Sequence, residues 1–358
     1  MEKILLEDCC EILDSMRVPI TSADRVEGPY PYYGANGIQD HVADYIFDDE
    51  LVLLAEDGGN FGSKERPIAY RVSGKCWVNN HAHVLKPKEG LDVDYLCYSL
   101  MFYNVGGMVN GATRQKLTQA SMRQMLIPKR SLKEQKYIVN LLTKAVTLKE
   151  KRQQELDELD NLIKARFVEL FGNPEQNEKG WRTCRLGDEC TVINGRAYKA
   201  EELLDEGKYR VLRVGNFFTN DSWYYSDLEL DNDKYCDEGD LLFAWSASFG
   251  PRIWHGEKVI YHYHIWKLIG YENCLNKDFF VELLNYNCDV MKRGTHGSTM
   301  LHFTKSQMED QLLILPPMQL QEQFADFVHQ VDKSKVVVQK ALDEAQLLFD
   351  SLMQEYFG

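Results

Sequence analysis

An internal repeat that runs through the whole chain constrains its fold more than any other feature. Four stretches recur in the same order at a nearly constant interval, and chance would supply one such match but not four. The interval is far longer than the roughly 20–45 residues of a solenoid repeat, so we expect a duplicated module. The pairs are "LEDCCEIL" from Leu6 with "LGDECTVI" from Leu186, "NNHAHVLK" from Asn79 with "IYHYHIWK" from Ile260, "LTQASMRQMLIP" from Leu117 with "FTKSQMEDQLLILP" from Phe303, and "FVELFG" from Phe167 with "MQEYFG" from Met353.

The first copy ends in a long segment that favours a helix. Residues 131–171 contain neither proline nor glycine, and Ser131 with Glu134 forms an S-x-x-E capping box at the start. Gly172 and Pro174 mark the end, because glycine favours the left-handed cap and proline stops a helix. Apolar residues recur at helical spacing and predict one buried stripe. These are Ile138, Leu142, Ala145, Leu148, Leu156, Leu159, Ile163, Phe167 and Leu170.

The second copy ends in a similar segment after Pro316 and Pro317, where "LQEQ" from Leu320 repeats "LKEQ" from Leu132. A forty-residue helix is about 60 Å long, and its apolar stripe needs a partner. We expect the two helices to pair antiparallel; the alternative is that each folds back on its own globular region. The second stripe comprises Phe324, Phe327, Val331, Val338, Ala341, Ala345, Leu348 and Leu352.

The remaining segments predict two strand-rich globular regions of α+β class. Short apolar runs such as "ELVLLAED" and "DLLFAWSAS" are typical of buried strands, and "HAHVLK" and "HYHIWK" alternate as strands do. "DVDYLCYSLMFYNV" and "NKDFFVELLNYNCDVM" favour helices that lead into glycine-rich loops. We therefore divide the chain into globular regions 1–128 and 173–315 and long helices 129–172 and 316–358.

Composition narrows the function classes. The net charge of −14 ordinarily argues against nucleic acid, but the acidic residues are clumped, as in "DYIFDDE". Such segregation permits a basic face, although the clumps are equally consistent with solvated loops.

Nine cysteines without a C-x-x-C pair indicate reduced thiols rather than a disulfide framework. No apolar run approaches the ~20 residues of a membrane span, and the first residues do not resemble a signal peptide, so we expect a cytoplasmic protein without membrane contact.

The sequence offers little catalytic chemistry. Two H-x-H pairs, His81 with His83 and His262 with His264, would share a face on a strand, but two histidines without nearby ligands do not make a metal site. We expect structural or DNA-facing histidines instead. A G-x-S-x-G nucleophile motif and a phosphate-binding G-x-x-x-x-G-K-[ST] loop are both missing from the sequence. We therefore predict no metal site and a non-catalytic protein.

Four loops combine glycine, hydrogen-bonding side chains and basic residues, as loops that contact DNA do. Arginine and glutamine can make paired contacts with guanine and adenine edges, whereas lysine and serine can hold phosphates. For each residue the alternative is an ordinary solvated loop. The predicted DNA-contacting residues are Asn60, Ser63, Lys64, Arg66, Arg114, Gln115, Lys116, Ser246, Ser248, Arg252, Lys292, Arg293, Thr295, His296 and Ser298.

The ordered set of repeated motifs resembles the DNA-specificity subunit of type I restriction-modification systems over the whole chain. The resemblance implies two similar target recognition domains, separated by two long helices packed as an antiparallel coiled coil with pseudo-two-fold symmetry. It also implies a non-catalytic subunit that recognises a bipartite sequence in double-stranded DNA, one half-site per domain.

The resemblance further implies partners. Two modification subunits would assemble on this chain together with restriction subunits. S-adenosylmethionine, ATP and Mg would be bound by those partners, and no cofactor by this chain. The alternative is a scaffold or regulatory homologue that holds partner subunits without recognising DNA.

Overall fold

The computed structural model describes residues 2–111, 114–218, 222–246, 249–294 and 304–358. It forms two compact units. Unit 1 comprises residues 1–153 and 340–358, and unit 2 comprises residues 154–339.

The elements up to the first long helix belong to the first copy of the repeat. They are β1 Lys3–Leu5, α1 Leu6–Cys9, β2 Cys10–Ile12, β3 Tyr30–Gly34, β4 Gly37–Val42, β5 Phe47–Ala55, β6 Ala69–Val78, β7 Ala82–Pro87, α2 Val93–Met101, β8 Val109–Asn110, β9 Lys116–Leu117, α3 Gln119–Arg123, β10 Leu126–Pro128 and α4 Leu132–Phe171.

The second copy repeats much of this order. Its elements are β11 Arg182–Arg185, α5 Leu186–Glu189, β12 Thr191–Asn194, β13 Tyr209–Leu212, α6 Val214–Phe218, β14 Tyr224–Ser226, β15 Tyr235–Cys236, β16 Leu241–Ala244, β17 Gly250–Ile253, β18 Val259–Tyr261, β19 Ile265–Ile269, α7 Lys277–Gly294, α8 Lys305–Glu309, β20 Leu312–Leu315 and α9 Met318–Phe357. The α+β class is confirmed, and so are the buried strands predicted at β5 and β16 and the helices predicted at α2 and α7.

Unit 1 is built on a six-stranded sheet in the order β2-β7-β5-β6-β3-β4. Its neighbours are antiparallel except for β3 and β6, which run parallel. One face packs on α2 and on the first part of α4 to form a core that includes Leu54, Tyr95 and Leu142. Strands β1 and β10 pair separately at the base of α4.

Unit 2 divides the same sheet into two. Strands β12-β19-β16-β17 form one four-stranded sheet, and β14-β13-β18-β15 form the other, with β13 and β18 parallel. The long strands β5 and β6 of unit 1 thus correspond to the pairs β15/β16 and β17/β18. Gly239, with a φ of +86°, lies in the turn between β15 and β16.

In each unit, segments of the two long helices pack with opposite chain direction. In unit 1, Lys149 lies over the ring of Phe349, and Arg130, just before α4, lies over Tyr356. In unit 2, Lys335 pairs with Asp160 at 2.5 Å, and Phe324 packs edge-on against Phe167. The predicted antiparallel pairing is therefore confirmed.

The helix boundaries also follow the sequence. The amide of Glu134 donates to the Ser131 hydroxyl and the Ser131 amide donates to the Glu134 carboxylate, so the capping box is formed. Gly172 has a φ of +76° and donates to Val168, as a left-handed cap does. The predicted apolar stripe is wrong at Leu148 and Leu348, which are 37% and 48% exposed.

The repeated "L-x-E-Q" motif correctly identifies corresponding segments of the two repeats, but it aligns them two residues out of register. Gln135 is buried, donates to the carbonyls of Gly90 and Arg130, and accepts from the amide of Asp92. Gln321 is also buried and makes the corresponding bonds to Cys274, Pro316 and Asn276. Gln323, which the motif aligns with Gln135, is exposed. The equivalent of Gln135 is therefore Gln321, which ties the start of α9 to the start of α7.

Candidate nucleic-acid interface

In unit 1 the loop after β5 meets the β8–β9 loop at one end of the sheet. The amide of Leu117 donates to Glu56 at 2.7 Å, and the amide of Gly58 donates to Gln115 at 3.2 Å. Through these bonds the residues that follow β5 pair with the backbone at β9. They bring two of the predicted DNA-contacting loops together, the one from Asn60 to Arg66 and the one from Arg114 to Lys116.

Arg114 is exposed but held in place. Its Nη2 lies 2.6 Å from Oδ1 of Asp57, and His81 Nδ1 lies 2.7 Å from the same oxygen. The guanidinium crosses the backbone of Gly58, where a Cβ atom would lie 3.4 Å from Nε. The Arg114 side chain is 61% exposed and that of Asp57 only 17%, so the carboxylate lies beneath a guanidinium that faces solvent.

Lys116 is anchored to a more buried carboxylate. Its Nζ lies 2.9 Å from Glu56, whose other oxygen accepts from Arg17 at 2.6 Å. Burial alone would raise the pKa of Glu56, but the hydrogen bonds from Lys116 and Arg17 outweigh it and lower that pKa below its usual range. Glu56 is therefore ionised at neutral pH and fixes both cations.

Behind Glu56 lies a buried ionic cluster. His83 is fully buried, with Nδ1 2.6 Å from Asp14 and Nε2 2.9 Å from the carbonyl of Leu117. Asp14, Glu56 and His83 bring potential metal ligands within reach of one another. Glu56, however, already accepts from Arg17, while Asp14 pairs with Arg17 at 3.5 Å and accepts from Gln119. The cluster balances its charges with protein cations and acts as a rigid base for the loops.

The β5–β6 loop lines an open depression. Asn60 donates to the side chain of Asn36 at 3.2 Å, and Asn36 donates to the carbonyl of Gly58 at 3.0 Å. The hydroxyl of Ser63 accepts from the amide of Arg66 at 2.9 Å, which forms the turn around Lys64. The depression encloses about 520 Å³ and is lined by Tyr33, Asn36, Gly37, Ile38, Asn60, Arg66, Pro67 and Tyr70.

The predicted residues of unit 2 are less completely described. Arg252, on β17, is exposed and stacks over the ring of Phe218 at 5.0 Å. Lys292 lies over Phe249 at the end of α7. Ser246 is only 6% exposed and faces the interior, which offers DNA little access to it. Ser248, Thr295, His296 and Ser298, together with the Arg293 side chain, lie outside the described residues.

The strand registers show which residues of the two units correspond at this end of the sheet. Ala55 pairs with Ala82 in unit 1 as Ala244 pairs with Ile265 in unit 2. The bond from Glu56 to His81 recurs as the bond from Trp245 to His264. The equivalent of His81 is therefore His264.

The sequence match of the two H-x-H pairs is thus wrong by two residues. The place of His83 is taken by Trp266. His262, which forms a single β-bridge with Arg196, and His264 lie in the connection between β18 and β19, not on a strand as expected.

This end of the sheet consequently differs in chemistry between the units. Where unit 1 has the contact between His83 and Glu56, at 3.6 Å, unit 2 stacks the rings of Trp245 and Trp266 at 5.7 Å. Burial first, and then His264 and Arg213, lower the pKa of His262 to about 4, so its imidazole is neutral at pH 7. Buried polar contacts at this end of unit 1 are thus replaced by stacked aromatic rings in unit 2.

Two residues that position the predicted interface were missed in the sequence. Asp57 precedes the predicted DNA-contacting residues Asn60 to Arg66 in the same loop but is not among them. The sequence favours a structural or DNA-facing histidine at His81 over a metal ligand, but it does not predict the contact with Asp57. The available signal was a carboxylate directly followed by two glycines. Because glycine has no side chain, an arginine from a distant part of the chain can cross the backbone there and reach the carboxylate.

The fold is that of a duplicated α+β protein, and each repeat carries one of the loop surfaces described above. The model of the type I restriction modification DNA specificity domain family matches residues 1–158 and again residues 178–345. The chain belongs to this family.

A curated relative is similar in sequence. The putative type I restriction enzyme specificity subunit S.HindORF215P of Haemophilus influenzae is 29% identical over 256 residues, which cover 69% of this chain and 66% of the relative. The match thus spans slightly less than two thirds of that protein's length.

Solved structures share the fold. The S subunit of a type I restriction-modification system from M. genitalium aligns over 100% of this chain and 96% of its own, with a TM-score of 0.58 and 17% identity. A second structure, described as the basis of complex assembly and conformational transition of the type I R-M system, covers 99% of this chain and 97% of its own, with a TM-score of 0.57 and 15% identity. Among the helices of the described residues, none is both long and apolar enough to cross a bilayer.

Proposed function

We propose that this chain recognises a bipartite DNA sequence, with one half-site contacted by each repeat. The observation that carries the proposal is the double match to the specificity-domain family, one match in each repeat.

In this proposal the globular regions 1–128 and 173–315 contact DNA, and the helices 129–172 and 316–358 set the spacing. The buried glutamines Gln135 and Gln321 support that division, because each fixes the start of a long helix to its own globular region. The helices would also hold two modification subunits, together with restriction subunits. One structural neighbour is described as the basis of complex assembly of the type I R-M system, which supports this part of the proposal.

Catalysis would belong to the partners. S-adenosylmethionine would be bound by the modification subunits, and ATP and Mg by the restriction subunits, with no cofactor on this chain. The net charge of −14 fits a subunit whose partners supply basic surface to the DNA, because neutralised phosphates provide most non-specific affinity.

A methylome comparison tests the proposal. Deletion of the gene should abolish methylation at one bipartite motif, and re-expression should restore it. Exchange of residues 1–128 for those of another family member should change one half of the motif only. Retention of every methylated motif after deletion, or a change in both halves after the exchange, would refute the one-domain-per-half-site model.

A mobility-shift assay with the modification subunits separates recognition from scaffolding. The assembled complex should prefer a duplex with the motif over one with a scrambled half-site by at least ~10³-fold, the lower bound for specific binding. Assembly without any such preference would instead indicate a scaffold that does not recognise DNA.

A further inference from the structure

The contacts around Arg114 indicate a more specific role than a general contact with DNA. We propose that Asp57 and His81 are positioning residues that orient Arg114 toward one guanine in the half-site contacted by unit 1. This inference rests on the proposed function and names the base class and the residues that select it.

The arginine is held on a backbone that is itself fixed. The backbone of Asp57 forms an antiparallel β-bridge with that of Lys116, and the adjoining amide of Gly58 donates to the carbonyl of Gln115. His81 is fixed through its own amide, which donates to Asn79, and through its carbonyl, which accepts from Glu56. Three chain segments therefore converge on a single guanidinium.

The contacts leave much of the guanidinium free for a ligand. Within the described part of the chain, Nη2 donates to Asp57 at 2.6 Å. His81 Nδ1 lies 3.4 Å from Nη2 but donates to the same carboxylate, so it does not accept the second Nη2 hydrogen. That hydrogen, together with one on Nη1 or Nε, forms a pair of parallel donors. The carboxylate fixes the plane of this pair and reduces the side-chain entropy lost on binding.

A pair of parallel donors selects guanine among the bases. The major-groove edge of guanine presents two acceptors, O6 and N7, whereas adenine presents a donor at N6 beside its N7. An oriented fork therefore favours guanine, while a freely rotating arginine would settle equally on phosphates.

The placement of Asp57 supports this role. A carboxylate close to DNA repels the phosphates and weakens binding to every sequence. Such a group is useful at an interface when it restricts the geometry of a neighbouring cation. Lys116 is fixed by Glu56 in a comparable way, but as a single point charge it lacks the fork.

The test uses this chain assembled with its modification subunits and a duplex library in which each position of the motif is varied. Arg114→Ala should lower the preference for guanine at one position of one half-site about 10- to 100-fold, with the other half-site unchanged. Asp57→Ala should relax the same position several-fold while it leaves or raises the affinity for other sequences. Lys129→Ala is the matched control, because Lys129 also lies in unit 1 and pairs with Glu2 at 2.8 Å.

Each other result is decisive. If Arg114→Ala weakens all sequences equally and reduces the salt dependence, Arg114 contacts a phosphate and the proposal is wrong. If Asp57→Ala raises affinity uniformly with the same base preference, Asp57 does not position Arg114. If Asp57→Ala fails to fold, Asp57→Asn replaces it and should show the same relaxation at the same position. A wild-type complex that selects no sequence would instead refute the proposed function itself.

Discussion

Replacement of the buried glutamines tests the structural register of the repeat against the register that the sequence motif suggests. Gln135 and Gln321 each form three hydrogen bonds to backbone groups at the junction of a long helix and its globular region. Gln323 shares the "L-x-E-Q" motif but is exposed. We therefore expect Gln135→Ala and Gln321→Ala to destabilise the protein strongly, and Gln323→Ala to leave stability almost unchanged.

The magnitude follows from the bonds that are lost. A hydrogen bond contributes about 1 kcal/mol net, and its loss costs about 1–3 kcal/mol where the remaining buried group has no other partner. Three bonds at about 1.3 kcal/mol each, near the lower end of that range, give a loss of roughly 4 kcal/mol in the free energy of unfolding. For a unit of this size, 1 kcal/mol shifts the melting temperature by roughly 2–4 °C, so we expect a decrease of about 8–16 °C.

Thermal unfolding followed by circular dichroism measures the global effect, and hydrogen exchange measures the local one. The amide of Asp92 should lose protection in Gln135→Ala, and that of Asn276 in Gln321→Ala, because each donates to the deleted side chain. Gln135→Met keeps the side-chain volume and separates lost packing from lost hydrogen bonds. A decrease for Gln323→Ala equal to that for Gln321→Ala would refute the structural register.

Three further predictions concern packing and pH. Phe167→Ala should destabilise unit 2 by about 3–5 kcal/mol in denaturant titrations, because the ring is 2% exposed, whereas Leu348→Ala should cost under ~1 kcal/mol. Burial opposes and His83 favours ionisation of Asp14, and the net effect lowers its pKa. The stability from this carboxylate is therefore present above its ordinary pKa of 3.8 and lost below it, and Asp14→Asn should flatten that acid dependence in unfolding experiments. The pKa of His262 is lowered from 6.5 to about 4, so its ring proton should not titrate in NMR spectra between pH 8 and pH 5. Because the unfolded chain binds that proton first, stability should decrease as the pH falls from 6.5 toward 4.

Patterns that depend on near neighbours in the chain were predictable from the sequence. The capping box of Ser131 and Glu134, the cap at Gly172 and the apolar run of β5 are local, and the structure confirms them. The order of the repeat was also predictable, because matched stretches do not need an exact register to be recognised.

Features that depend on distant residues were not predictable. The bond between Asp14 and His83 joins residues far apart in sequence, and neither residue type indicates the other. The sequence match of the H-x-H pairs failed because letter identity favoured His264 opposite His83, while the strand ladder places Trp266 there. The hold of Asp57 on Arg114 was missed for the same reason, since it depends on how two loops meet.

The division of the chain has a consequence for its synthesis. Unit 2 is one continuous segment, whereas unit 1 needs residues 340–358 to complete its core, where Phe357 packs on Tyr95. At about 5–20 residues per second, the ribosome needs roughly 10–40 s to make the intervening segment. During that time the apolar side chains of Ile138 and Leu142 lack their final cover. The half that is translated first is therefore the half that matures last.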